Sequence, residues 1–245
     1  MRLAEFDEYA ANYEQLVSES VRLSGEPSDY FAAYKADYIA RKIAPTPGTS
    51  LLDYGCGVGR LSAHLKKRLP GTRVDGFDVS KSSVKQAETA LVGQGTFTTE
   101  QNELLAAYDV IVLANVLHHV MPDERYALLK QISSRLAEGG KIVVFEHNPL
   151  NPLTRRAVAD CVFDKGVQLL PSREVRGYFR RDFEQVTQDY IVFFPRWLSG
   201  LRPLEEYLGW CQLGAQYAVV AGRPRSKRCG LPLGKNQSPN HTGIH

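Results

Sequence analysis

The sequence predicts an α/β protein: a doubly wound, mostly parallel seven-stranded sheet with helices on both faces. Three observations carry that prediction. Strand-like and helix-like segments alternate regularly from residue 51 to residue 146, the pattern of parallel strands joined by helical crossovers. The strand candidates include near-continuous apolar runs such as VIVL (110–113) and IVVF (142–145), which suit strands covered on both sides. The first strand runs straight into LLDYGCGVGR (51–60), where Gly55, Gly57 and Gly59 share one turn. Glycines that dense imply positive φ or a close approach of something to the backbone.

The elements follow in order. Residues 4–20 place Phe6, Tyr9, Tyr13, Leu16 and Val17 at helical spacing, and Ser24–Ser28 breaks the pattern. A second helix spans 29–43, with Phe31, Tyr34 and Tyr38 along one side, and stops at Pro45–Gly48. SLLDYG (50–55) is the first strand, and 59–69 is a helix presenting Leu61, Leu65 and Leu69. Residues 72–80 form a strand, 81–91 a helix with Val84, Ala87 and Leu91 aligned, and 95–99 a short strand. Residues 109–117 are a strand, 122–137 a helix closed by Gly139-Gly140, and 141–146 the fifth strand. Then the alternation lapses. Residues 148–170 are a proline-marked insertion, 172–183 a helix, and 188–195 and 215–222 the last strands. This divides the chain into a helical cap (1–48), a sheet domain (49–226) carrying an insert at about 147–170, and a loose tail (227–245).

Composition narrows the classes. At 245 residues one domain with a sizeable core is the expectation. A net charge of +3 makes no demand for nucleic acid. Cys56, Cys161, Cys211 and Cys229 show no CxxC or ligand spacing, so neither a disulfide framework nor a bound metal is expected. The acidic, amphipathic start is unlike a signal peptide and no apolar run reaches membrane-spanning length, so a cytoplasmic protein is expected.

In an open parallel sheet, ligands bind beyond the carboxyl ends of the strands, and an acidic residue about 20 positions after the glycine turn can accept both ribose hydroxyls. Asp78 stands there. A dinucleotide site wants a third glycine or alanine six positions along, where this chain has Arg60. The G-C-G-V-G turn behind Asp53 instead resembles motif I of the class I S-adenosylmethionine-dependent methyltransferases, a Rossmann-like family. VDGFDVSKSSVKQA resembles that family's second motif, YDVIVLANVLHHV its fourth-strand motif, and LAEGGKIVVFEHNP its fifth strand. The matches cover roughly residues 50–150 in the family's order. FDEYAANYEQ near the start is similar to the lid helix of small-molecule members.

The resemblance implies S-adenosylmethionine as cofactor. It places Asp53 beneath the sulfonium and amino group, Gly55, Cys56, Gly57 and Gly59 along the methionyl end, and Asp78 with Val79 at the ribose. Glu100, with Asn102 as alternative, falls near the adenine, and Asn115 and Leu117 line the cofactor at the end of strand four. Tyr13 closes from the lid. Ser80 is the natural cap of the following helix, and Cys56 a small buried packer.

Methyl transfer from a sulfonium is an in-line displacement, and a base is required only where the acceptor must lose a proton. His118, His119, Glu146 and His147 fall at the ends of strands four and five; His147, just past strand five, and His119, past strand four, are the preferred bases, while His64 lies among lysines on a helix and reads as surface. Tyr30, Phe31, Tyr34 and Tyr38 on one side, with Phe163, Phe193, Phe194 and Trp197 on the other, suggest an apolar or aromatic small-molecule acceptor methylated on O or N. The stretch 193–210 suits a peripheral membrane contact or a homodimer as well, so the chain is expected to be a monomer or a homodimer. No basic stripe points to nucleic acid. Alternatives are an S-adenosylmethionine-binding enzyme that transfers no methyl, and an NAD(P)-dependent oxidoreductase.

Overall fold

A computed structural model describes residues 25–225 apart from 28, 162, 163 and 165. The helix expected over residues 4–20 with Tyr13, Phe163 and the segment from 226 lie outside the described residues.

Helix α1 (Tyr30–Lys42) leads into β1 (Ser50–Tyr54), α2 (Arg60–Arg68), β2 (Arg73–Phe77), α3 (Lys81–Ala90), β3 (Phe97–Thr98) and β4 (Tyr108–Ala114). Then come α4 (Arg125–Ser133), β5 (Leu136–His147), α5 (Pro152–Asp160), α6 (Ser172–Asp182), β6 (Phe183–Ile191) and β7 (Gln216–Pro224). The seven strands form one sheet in the order β3-β2-β1-β4-β5-β7-β6. The first five are parallel, and β7 runs antiparallel to both β5 and β6. This is the predicted doubly wound sheet. Its order reverses between β1 and β4, the switch point where such sheets bind ligands.

The period of two explains why both faces are buried. Leu51, Val110, Val112, Val143 and Phe145 face α1 and α2, packing on Ile39, Leu61 and Leu65. Leu52, Ile111, Leu113, Ile142 and Val144 face the other way, onto Leu129 and Ile132 of α4 and Val175 and Phe179 of α6. Helix α1, assigned to the cap on sequence, is therefore a core helix of the sheet. Its Tyr38 is buried, edge-on to Phe145 and hydrogen-bonded to Asp189 Oδ2 at 2.8 Å.

Several boundaries differ from expectation, each for a local reason. Helix α4 ends at Ser133, and the Gly139-Gly140 pair read as its terminator lies inside β5. A Cβ on Gly140 would stand 3.1 Å from the carbonyl of Asp109, so that strand passes β4 closely at the register shift between Tyr108 and Val110. Strand β4 stops at Ala114 because Asn115 turns to φ +59°. Strand β6 begins at Phe183, five residues early. Its polar first half pairs with β7 at the sheet edge, where one-sided burial suffices. It ends at Ile191, before Val192 at φ +61°, and the amides of Phe193 and Phe194 turn to Glu205 Oε1, both at 3.0 Å. No disulfide joins the described cysteines, and no described helix is long and apolar enough to cross a membrane.

Candidate active site

At the carboxyl edge of the sheet, above the switch point, lies a cavity of about 820 Å³. Its two ends differ in construction.

One end is the turn between β1 and α2. Gly55, Gly57 and Gly59 all have positive φ (82°, 52° and 81°). A Cβ on Gly57 would meet nothing within 4 Å, and this residue lines the cavity, so the backbone is left bare for a ligand. Gly59 serves otherwise. It does not line the cavity, and a Cβ there would stand 3.0 Å from the Cβ of Ala87, so this glycine lets α2 start against α3. Cys56 lines the cavity and packs with Val84, Ala87, Leu91 and Phe97; burial pushes its thiol well above the usual range.

Asp53 ends up buried beside this turn. Its Oδ2 accepts from Ser62 Oγ at 2.7 Å, and its Oδ1 is buried without a hydrogen-bond partner among the described residues. Burial raises its carboxyl to about 6, although the Ser62 hydroxyl pulls the other way. Asp78 Oδ2 accepts the Gly57 amide at 2.8 Å and Oδ1 the Ser80 amide at 2.9 Å, tying the second strand to the glycine turn. Ser80 caps α3 by accepting the Ser83 amide, as expected. Val79 is half exposed and lines the cavity. Asn115 lines it too, with a left-handed backbone and a buried Oδ1 lacking a partner among the described residues. Such strain is held only where surrounding structure enforces it.

Like Gly59, two more of the expected cofactor residues stand outside the cavity lining. Leu117 does not line the cavity. It is fully buried in the core, its amide is taken by Glu146 Oε1 at 2.7 Å and its carbonyl by Arg125 Nε at 3.2 Å. Val116 lines the cavity in its place. Glu100 is exposed and also outside the lining, because β3 ends at Thr98 and the chain turns away.

The other end is built from residues distant in sequence. His118 and His119 sit in a single 3-10 turn after β4, and His147 ends β5. Asn148 pins that strand end. Its amide nitrogen donates to the carbonyls of Gln212 (2.8 Å) and Gly214 (2.7 Å), while its oxygen accepts the Leu150 amide at 3.1 Å. Asn151 caps α5 with Pro152 as its first residue. Glu146, on the opposite face of β5 from His147, reaches His118: Nδ1 to Oε2 is 2.6 Å. Asp164 in the insert stands 3.3 Å from His118 Nε2 and 3.5 Å from His119 Nε2. Burial disfavours a charge on His118, but Glu146 and Asp164 outweigh it and push that imidazole up to about 10. Burial, reinforced by the His118 charge, pushes His119 and His147 down to about 4. Lys35 of α1, buried at the cavity wall, is lowered to about 8 by burial against the pull of Glu146 and Asp53.

Sequence reasoning missed Asp164 and Lys35 as parts of this site, and it named His118 and Glu146 as candidates without pairing them. Lys35 had a signal: it lies four residues after Phe31 and three before Tyr38, on the helix face that is otherwise aromatic. Of the expected aromatic walls, Tyr30, Phe31, Phe193, Phe194 and Trp197 line the cavity. Tyr34 and Tyr38 pack behind it instead. His64, read as surface, is partly buried against Asp29 at 2.8 Å.

A family model described as a methyltransferase domain matches residues 52–142. The uncharacterised methyltransferase YrrT of Bacillus subtilis is 32% identical over 152 residues, covering 58% of this chain and 67% of that protein. This chain belongs to the class I S-adenosylmethionine-dependent methyltransferases. The ribosomal RNA small subunit methyltransferase C of Pseudomonas aeruginosa is 30% identical over 129 residues, 47% of this chain and 38% of that one, so the chain spans well under half of that relative. The solved magnesium protoporphyrin IX methyltransferase of Synechocystis, with bound S-adenosylmethionine, superposes with a TM-score of 0.54 at 18% identity, over 84% of this chain and 83% of that chain, a likeness of fold.

S-adenosylmethionine is the cofactor of this methyltransferase family. The turn fits such a group on three counts: the unpartnered buried oxygen of Asp53, the open space at Gly57, and the Asp78 carboxylate beside both.

Proposed function

We propose that this methyltransferase acts on a small apolar or aromatic molecule at an oxygen or nitrogen. One observation carries the reading: the cofactor-fitting turn opens into the same cavity as the aromatic wall of Tyr30, Phe31, Phe193, Phe194 and Trp197. A cavity of about 820 Å³ lies within the usual range for small-molecule sites, about 300–1,000 Å³.

S-adenosylmethionine, when bound, supplies an electrophilic methyl group on a sulfonium. The chain supplies the rest. Asp53 sets a carboxylate against the cofactor's cationic end, where its unpartnered oxygen gains a donor. Asp78 accepts from the ribose, held beside the glycine turn by the Gly57 amide. The bare backbone at Gly57 admits the methionyl part, with Cys56 and Asn115 beside it. The aromatic wall excludes water and holds the acceptor in line, which is the main demand of this displacement. His147 and His119 stand at the acceptor end, placed to take the acceptor's proton where it carries one. Tyr13 belongs to the proposed lid.

A likeness to a ribosomal RNA methyltransferase makes RNA the rival acceptor. The test is incubation of the full chain with methyl-labelled S-adenosylmethionine and two acceptor pools, phenols and aromatic amines on one side and ribosomal RNA on the other. Label in the small molecules supports the reading. Label confined to RNA contradicts it.

A further inference from the structure

His118, His147 and Asp164 come from three separate segments, yet their donor atoms all lie within 4.8 Å of one another. We propose that these three residues bind one divalent transition-metal ion at the acceptor end of the cavity.

The first support is spacing. His118 Nε2 and Asp164 Oδ1 are 3.3 Å apart. Two donors on a tetrahedral ion with bonds of about 2.0–2.1 Å stand roughly 3.3–3.4 Å apart. A charge-assisted N–H···O bond would close to about 2.7–2.9 Å. The contact on the opposite nitrogen of the same ring does close, at 2.6 Å.

The second is the support behind the ligand. Glu146 is fully buried, with one oxygen on the Leu117 amide and the other on His118 Nδ1. It therefore fixes the ring, and with an ion bound it would keep the proton on Nδ1 and leave the Nε2 lone pair for the metal. A carboxylate behind a histidine in this way is the usual outer support of a metal ligand. His147 is fixed separately, by the Asn148 clamp at the end of β5.

The third is charge. A neutral His118 would set a lone pair against the Asp164 carboxylate, with Glu146 close behind. A cation between them resolves this. Two imidazoles and one carboxylate favour zinc, manganese or iron(II) over magnesium or calcium. Three protein ligands leave coordination positions open towards the cavity, where His119 and Val120 also lie. That such positions hold the acceptor's oxygen or nitrogen rests on the methyltransferase reading; the metal site does not. With the ion bound, His147 is a ligand and proton acceptance falls to His119.

The competing arrangement is a proton on His118, bridging Glu146 and Asp164 with no metal. Zinc(II) titrated by calorimetry into the full chain, stripped with chelator, separates the two. Cobalt(II) absorption reports the ligand set. The metal site predicts one equivalent per chain, weakened at least about tenfold in Asp164→Asn and in His147→Ala, and roughly 10–100-fold in Glu146→Gln. His64→Ala should leave it unchanged. Absence of stoichiometric binding in the wild-type chain, or binding indifferent to Asp164→Asn and His147→Ala, overturns the proposal. Circular dichroism of each variant checks folding, and Asp164→Asn, on the insert, carries the test should His147→Ala fail to fold. Calorimetric binding of S-adenosylhomocysteine to the same stripped protein tests the methyltransferase reading separately, since either result can fail while the other stands.

Discussion

The two ends of the cavity are built by opposite strategies. The cofactor end comes mostly from two short contiguous stretches, residues 53–60 and 77–80, tied by the Asp78–Gly57 hydrogen bond, with Asn115 and Val116 added from the end of β4. The acceptor end is assembled from Lys35, residues 118–119, 146–147 and 164, which meet only because β4 and β5 are neighbours and the insert folds back. A local turn can be passed from protein to protein intact. A constellation gathered across the fold varies freely, which is the physical basis for one cofactor serving many acceptors.

That division makes the ends separable, and substitutions can break it. The largest effect belongs to His147→Gln. Turnover of the metal-free chain should fall roughly 10²–10⁴-fold, the range for loss of a positioned proton acceptor, while S-adenosylhomocysteine affinity stays unchanged. Steady-state kinetics and calorimetry on the same protein check this. Equal losses in both would mean that the ends act as one unit.

Asp53→Asn sharpens the comparison from the other side. The folded-state pKa of Asp53 is raised to about 6 by burial, so its stabilising contribution is complete below its unfolded pKa of about 3.9 and is lost as pH rises through about 6. Holding the carboxyl that far above its ordinary value corresponds to about 3 kcal/mol. Urea unfolding should therefore show the cofactor-free Asn variant more stable than wild type at pH 7.5, by up to about that amount, and little different at pH 4. Its affinity for S-adenosylmethionine should fall. A variant no more stable at pH 7.5 would show that Asp53 is not held at a cost for the cofactor.

Gly59→Ala has the smallest expected effect. A left-handed backbone bearing a Cβ costs roughly 1–2 kcal/mol, and the new carbon would crowd Ala87. Because Gly59 does not face the cavity, chemical denaturation should register the loss while cofactor affinity, corrected for folding, holds. A selective loss of cofactor affinity would return Gly59 to the binding surface.

The same division explains what the sequence made legible. The alternation of strands and helices, the glycine turn, the positions of Asp53 and Asp78 beside it and the Ser80 cap were readable because each rests on spacing within a few residues or on regular alternation. His147 was readable from its place after an apolar strand. His118 was a candidate beside His119, but nothing local distinguishes the two; Glu146 one strand away decides which ring is locked. Asp164 lies in an aperiodic insert, and only tertiary folding gives it partners. Leu117 and Glu100 stand outside the lining because both strands end earlier than expected: β4 stops at Ala114 and a 3-10 turn buries Leu117 in the core, while the two-residue β3 leaves Glu100 to solvent.

The central claim is that this chain holds S-adenosylmethionine through Asp78 at the glycine turn. Calorimetric titration of S-adenosylmethionine into the wild-type chain and into Asp78→Ala tests it most directly. The account predicts one site per chain, weakened by roughly 1.5–3 kcal/mol in the variant, as for hydrogen bonds to a charged acceptor. Equal affinity in the two proteins, or binding of NADH in place of S-adenosylmethionine, would contradict it.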